Sequence, residues 1–156
     1  MKRNLSVRSV AVTISLLLGF LPVQAAERPF AMNGTGTSTF IVDGGQVIGA
    51  NVNASGTATY LGLWTATGTV HFTPDPSNPG RLLSNASLAF VAANGDKLQI
   101  MLNGNLDPAA GADMGVVQFF GGTGRFAGAS GIGQFLVELN TATGAFKTTM
   151  VGTINF

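Results

Sequence analysis

The sequence predicts an all-β fold: a single antiparallel β-barrel of about eight strands following a cleaved N-terminal signal peptide. Apolar and polar residues alternate with a period of two along most of the chain. Clusters of glycine, asparagine, aspartate and proline interrupt that alternation at short intervals. Beyond the first segment, no stretch holds a helical period, so mixed folds drop out.

The elements follow in order. Lys2, Arg3 and Arg8 precede an apolar run, Val10 to Leu21, then Pro22 and the small-residue site Val23-Gln24-Ala25-Ala26. That order reads as a secretory leader over residues 1–26, cleaved after Ala25 or Ala26, with export to the periplasm or the medium. The apolar run falls short of the ~20 residues that a spanning helix needs. Its arginines are not paired as a twin-arginine signal requires, which favours the general secretory route.

Residues 27–156 then form one barrel domain, large enough to bury a core of its own. Leu82, Ala86, Leu88 and Phe90 fall on one face with Asn85 and Ser87 on the other, and Leu98, Ile100 and Leu102 alternate with Lys97, Gln99 and Asn103. Phe146, Met150, Ile154 and Phe156 alternate in the same way with Lys147, Thr149, Thr153 and Asn155. Asn94-Gly95 marks a type I′ hairpin between two of these strands. Asp43-Gly44-Gly45 and Asn140 to Gly144 read as further turns, and Pro74 to Gly80 and Asp107 to Ala112 as longer loops.

The expected strands, about eight to ten, are Phe30–Met32, Thr37–Val42, Gln46–Val52, Thr57–Thr65, Thr67–Thr73, Leu82–Val91, Lys97–Gly104, Gly115–Phe120, Gly131–Leu139 and Gly144–Phe156. Closing such a meander removes its exposed edges. "TATG" occurs at Thr65–Gly68 and Thr141–Gly144, and both copies read as hairpin chemistry.

Charge excludes several functions. Loss of Lys2, Arg3 and Arg8 turns a formal +1 into five basic against seven acidic residues, net −2. Arg28, Arg81, Lys97, Arg125 and Lys147 are scattered, so neither a nucleic-acid footprint nor a polybasic membrane patch forms. Cysteine is absent from the sequence, which removes disulfides and thiolate chemistry. Threonine, glycine and asparagine in place of charge suggest a surface of hydroxyls and amides, or one covered by copies of itself.

"FFGGTGRFAGASGIGQF", residues 119–135, fits a loose dinucleotide fingerprint. A phosphate cradle needs a helix after the glycines, whereas "ASGIGQFLVEL" alternates like a strand. The stretch is therefore read as a barrel corner, with Phe126 tucked into one end as a plug and Ala129 and Gly131 small enough for close strand passage. Gly121, Gly122, Thr123, Gly124, Phe126, Ala129 and Gly131 resemble the G-G-T/S-G-x-F-x-x-A-x-G segment shared by dirigent proteins and allene oxide cyclases. The resemblance is sharp from Val116 to Leu139, and "GTATYLGLWT" adds a weaker match to small secreted bacterial members of this barrel group. It implies an eight-stranded barrel with a largely apolar interior, often assembled as trimers. The catalytic residues of neither family fall on matching positions in this chain.

Candidate chemistry is sparse. His71 is the only histidine and shares a strand face with Thr67, Thr69 and Thr73, a solvent-facing place. One histidine and no carboxylate cluster give no metal site and no catalytic triad, and no cofactor is expected. Tyr60 and Trp64, read on one face of the Gly56–Thr65 strand, are candidates to line an apolar pocket, with Gln118 and Glu138. Glu138 shares its face with Gln134 and Leu136. Pointing inward, it would be a desolvated carboxylate and the one catalytic candidate; pointing outward, a solvated charge that discourages aggregation. Asp43, Asp75, Asp96, Asp107 and Asp113 are expected in turns.

The expected function is an exported barrel that binds a small apolar or aromatic molecule, with dirigent- or cyclase-like steering as its catalytic form. The alternative is a non-catalytic structural or interaction module of the cell envelope or extracellular space, whose exterior serves in oligomerisation or attachment; the resemblance implies a homo-oligomer, a trimer, for the barrel. A small outer-membrane barrel is set aside, because one Trp and one Tyr cannot supply two aromatic girdles.

Overall fold

A computed structural model describes residues 26–156; the leader expected over residues 1–26 lies outside them but for Ala26. Eight strands run antiparallel in chain order and close on themselves: β1 (Arg28–Asp43), β2 (Gln46–Ala58), β3 (Gly62–Pro74), β4 (Leu82–Ala92), β5 (Lys97–Asp107), β6 (Ala112–Gly122), β7 (Ser130–Leu139) and β8 (Ala145–Asn155). β1 pairs with β8 from Arg28↔Ile154 to Thr37↔Ala145, so no edge is left open. Among the described residues the one helical element is a 3-10 turn, Gly124–Phe126.

Alternation decides what faces inward. Ala86 and Phe90 are buried in β4 while Asn85 and Ser87 are exposed; in β5, Leu98 and Ile100 are buried between Lys97, Gln99 and Met101. β1 joins the two short strands expected at Phe30–Met32 and Thr37–Val42.

Two expectations are corrected. The Thr57–Thr65 strand is broken by a tight turn at Tyr60, whose φ of 66° is left-handed. Thr59 holds this turn by long-range bonds to Ala31, its Oγ1 donating to the Ala31 carbonyl and accepting from the Ala31 amide at 3.1 Å. Thr65–Gly68 is not a hairpin but the middle of β3, where Gly68 makes room for the Leu88 side chain. The second copy of "TATG" does turn: the amide of Gly144 donates to the Asn140 carbonyl at 2.8 Å.

The barrel's two ends differ. The turns at 59–61, 93–96 and 123–129 gather at one end with the start of β1 and the finish of β8. Phe126, 0 % exposed, stands edge-on to Phe156 at 5.3 Å, and Phe156 meets Tyr60 at 5.2 Å. Beneath them, Phe30 and Phe119 stack tilted at 4.8 Å among Leu98, Ile100, Val117 and Ile154. This end is closed. The other end carries the turns at 44–45, 75–81, 108–111 and 140–144, and its apolar residues Phe40, Val70, Leu82 and Leu139 are only half-buried around Ala50, Phe72 and Leu106.

Three cross-strand glycine pairs, Gly34↔Gly56, Gly104↔Gly115 and Gly133↔Gly152, let paired backbones approach closely. A Cβ on Gly115 would stand 2.5 Å from the Gly104 Cα.

Candidate functional site

Between the closed end and the half-buried rim lies a cavity of about 90 Å³. Its walls are apolar: Trp64 and Phe90, tilted against each other at 4.8 Å, with Leu88, Phe135, Phe146 and Met150. The volume is below the ~300–1,000 Å³ of a drug-sized pocket, and suits one small ring or a slender chain.

Four polar side chains interrupt this lining: Ser38, Ser84, Asp113 and Thr148. The Ser38 hydroxyl is occupied, donating to the Gly144 carbonyl at 2.9 Å. The Ser84 hydroxyl donates to Oδ1 of Asp113 at 2.9 Å, the one hydrogen bond to this carboxyl among the described residues. Asp113 leans across Gly104, where a Cβ would stand 2.7 Å from both Asp113 Oδ1 and Ser84 Oγ and 2.6 Å from the Phe135 ring. Burial raises the Asp113 pKa from its ordinary 3.8, and the Ser84 hydrogen bond opposes this only in part. Thr148 Oγ1 and the indole Nε1 of Trp64 are both buried with no hydrogen-bond partner.

Asp113 is thus the acid inside the barrel, and its expected place in a turn is corrected: it lies in β6. The alternation of Asp113, Gly115, Val117 and Phe119 against Met114, Val116, Gln118 and Phe120 puts it on the inward face. Extending that period two residues back from Gly115 would have found it.

The candidates named from the sequence separate. Trp64 lines the cavity. Tyr60 packs at the closed end instead, because the turn removes it from the face of Trp64. Gln118 and Glu138 are exposed on the outer wall, since their neighbours Val117, Phe119 and Val137 take the inward places. Glu138 stands opposite Lys147 in the β7–β8 register and borders two shallow outer depressions. It is the solvated alternative of the two readings. His71 is exposed on β3. Among the described residues, no group of three His, Asp or Glu side chains comes together.

The glycine-rich segment lies at the closed end. Gly121 and Gly122 end β6, Gly124 opens the 3-10 turn with φ 56°, and Phe126 and Ala129 are buried behind it. Asp96 pairs with the Arg125 guanidinium at 3.3 Å and accepts from the Arg125 backbone amide at 3.5 Å, tying the turn to the β4–β5 hairpin.

No protein-family model matches the sequence, and no curated protein matches it either. The likeness is in three dimensions. The pterocarpan synthase dirigent protein PsPTS1 superposes with a TM-score of 0.57 at 15% identity, over 85% of this chain and 96% of that one. The pterocarpan synthase dirigent protein GePTS1 superposes at 0.53 and 15% identity, over 88% and 89%. The fold is a dirigent-type barrel. In this dirigent-type barrel the segment that carries the sequence resemblance forms the closed end, away from the cavity and its buried acid.

A raised Asp113 pKa predicts a direction for stability against pH. The folded state holds the proton more tightly than the unfolded one, so the contribution is full below pH 3.8 and is lost as pH rises through the folded pKa. Asp113→Asn keeps a partner for Ser84 and removes this titration. Melting temperatures of the two proteins across pH should therefore diverge in favour of Asp113→Asn as pH rises, and a constant difference would show that Asp113 titrates normally.

Proposed function

We propose that this barrel binds one small apolar or aromatic molecule inside its wall, entering between the half-buried residues of the rim. The observation that carries the reading is an apolar cavity with the buried acid Asp113 in its wall, where two further lining residues, Thr148 and Trp64, hold buried polar atoms without partners. A buried polar group left unpaired costs ~1–3 kcal/mol, which a merely packed core would avoid by using Val or Phe. Dirigent-like steering of the bound molecule is the catalytic form of this reading, supported by the likeness to two pterocarpan synthase dirigent proteins. Asp113, held toward its neutral form, is then the group placed to exchange a proton with the ligand. The reading needs no cofactor or metal.

The outer wall supports assembly with copies of itself. Met114, Val116 and Phe120 of β6, Ile132 and Leu136 of β7 and Val151 of β8 are exposed on adjacent strands, with no charged side chain among the outward residues at Val116, Gln118, Ile132, Gln134 and Val151. The opposite wall is polar: Thr35, Thr37 and Thr39 of β1 stand beside Ser55, Asn53 and Asn51 of β2, and these beside Thr65, Thr67 and Thr69 of β3. A wall so rich in hydroxyls and amides suits water and not a bilayer, where the apolar band must run all round. We therefore propose an exported homo-oligomer, a trimer by its resemblance, joined through β6–β8.

Native mass spectrometry of protein purified from its source tests both parts. The expected spectrum shows an oligomer whose mass exceeds that of its chains by a small molecule lost on denaturation. Bare monomer would count against binding and assembly together.

A further inference from the structure

We propose that the cavity takes small apolar amines, with Asp113 as the partner of their nitrogen. This rests on the cavity being a ligand site.

Asp113 is the one ionisable side chain in the lining. The lining residues next to it, Leu106 of β5 and Phe135 and Val137 of β7, have apolar side chains. Its two carboxyl oxygens differ. Oδ1 is fixed at the wall: it accepts from the Ser84 hydroxyl, and both atoms stand 2.7 Å from the place that a Gly104 Cβ would take. Oδ2 has no partner among the described residues. Thr148 Oγ1 and Trp64 Nε1 are also unpartnered, but they are sealed from solvent. Asp113 Oδ2 is not among the sealed atoms, so it keeps open surface on the cavity that Asp113 lines. It is the oxygen left for a ligand.

Charge at the mouth points to a cation. The turns of the open end and the residues beside them carry Asp43, Asp75 and Asp107 against Arg81. Arg81 pairs with Asp107 at 3.1 Å. Hydrogen bonds from the Asn78 side chain and the Ser77 amide lower the Asp75 pKa and keep that carboxylate charged. Glu138 and Lys147 stand opposite each other on the outer wall and cancel. The closed end has the reverse balance, Arg28, Lys97 and Arg125 against Glu27 and Asp96. Negative charge thus gathers at the entrance, where it draws cations in and turns anions away.

A nitrogen base completes the arrangement. Burial holds Asp113 toward its neutral form. When a neutral amine enters, the carboxyl O–H bond breaks and an N–H bond forms, and the ammonium donates to Oδ2 in a charge-assisted bond. The two charges neutralise each other inside the apolar wall. An ammonium that enters as such forms the same pair with the ionised carboxyl. An alcohol of the same shape makes only a neutral hydrogen bond there, about half as strong, and a hydrocarbon makes none.

The test compares cyclohexylamine, cyclohexanol and methylcyclohexane, which share a ring and differ at one heavy atom. NMR titrations near neutral pH should show the amine binding at least about tenfold tighter than methylcyclohexane, with the alcohol between them. Asp113→Asn, which keeps a partner for Ser84, should abolish the preference and leave methylcyclohexane binding as before. The 13C resonance of the Asp113 carboxyl, followed against pH in the parent protein, should titrate at lower pH with the amine present and not with methylcyclohexane. Equal affinities, a tighter alcohol, or an amine preference that survives in Asp113→Asn overturn the amine site while leaving the cavity as a binding site. An Asp113 midpoint that the bound amine does not lower overturns it too, with no variant needed. Binding of none of the three molecules overturns both.

Discussion

Phe126→Ala should destabilise the protein by about 3–5 kcal/mol in denaturant unfolding, the range for removing a buried aromatic ring. The ring is fully buried, stands edge-on to Phe156, and is delivered by a three-residue turn that has no other buried member. Few neighbours are positioned to collapse into the space, because that turn is tied to the β4–β5 hairpin by Asp96 and Arg125 and by the Thr123 amide donating to the Lys97 carbonyl at 2.8 Å. Phe126→Leu keeps most of the volume and should cost less than half as much. A loss below about 1 kcal/mol for Phe126→Ala would mean that the closed end is held by Tyr60 and Phe156 without the plug.

Gly115→Ala should cost about 1–3 kcal/mol, the range for overpacking, although it adds one methyl group. That methyl would stand 2.5 Å from the Gly104 Cα and 2.8 Å from the Asn103 carbonyl carbon, both backbone atoms, so a strand must move. Gly68→Ala is the matched control, since the atoms it meets belong to the flexible Leu88 side chain. The smaller loss should fall on Gly68→Ala. The moved strand in Gly115→Ala carries Asp113, so the variant should also disturb the Asp113–Ser84 hydrogen bond.

The strands were legible where one face is buried and the other is not. Leu82–Ala92 and Lys97–Asp107 alternate in sequence because the barrel gives each strand one dry face and one wet face, and Asn94-Gly95 states the turn between them. The closed end was legible too: glycines beside a buried aromatic ring describe a corner whatever they resemble. What was hidden depends on partners far along the chain. Nothing local marks Tyr60 as a left-handed turn residue; the turn is fixed by Thr59 binding Ala31, 28 residues away. Continued alternation of Thr, Ala, Tyr and Trp concealed it. The side of the wall taken by Glu138 followed from Phe135, Val137 and Leu139 claiming the interior, a choice that the apolar Leu136 on its own face obscured. Aspartate as a residue type points to a turn, while the period of its neighbours turns Asp113 inward. Its buried place depends on Ser84, 29 residues earlier, and on the missing side chain of Gly104.

A barrel that binds a ligand has a chamber inside its wall and not a packed core. Crystals exposed to xenon under pressure, and separately to benzene vapour, test it most directly, because both probes enter dry apolar cavities and need no polar partner. Density for each probe is expected among Trp64, Leu88, Phe90 and Phe135, with the wall unmoved. An interior without probe density, its space closed by the rings of Phe72, Phe90, Phe135 and Phe146, would contradict it.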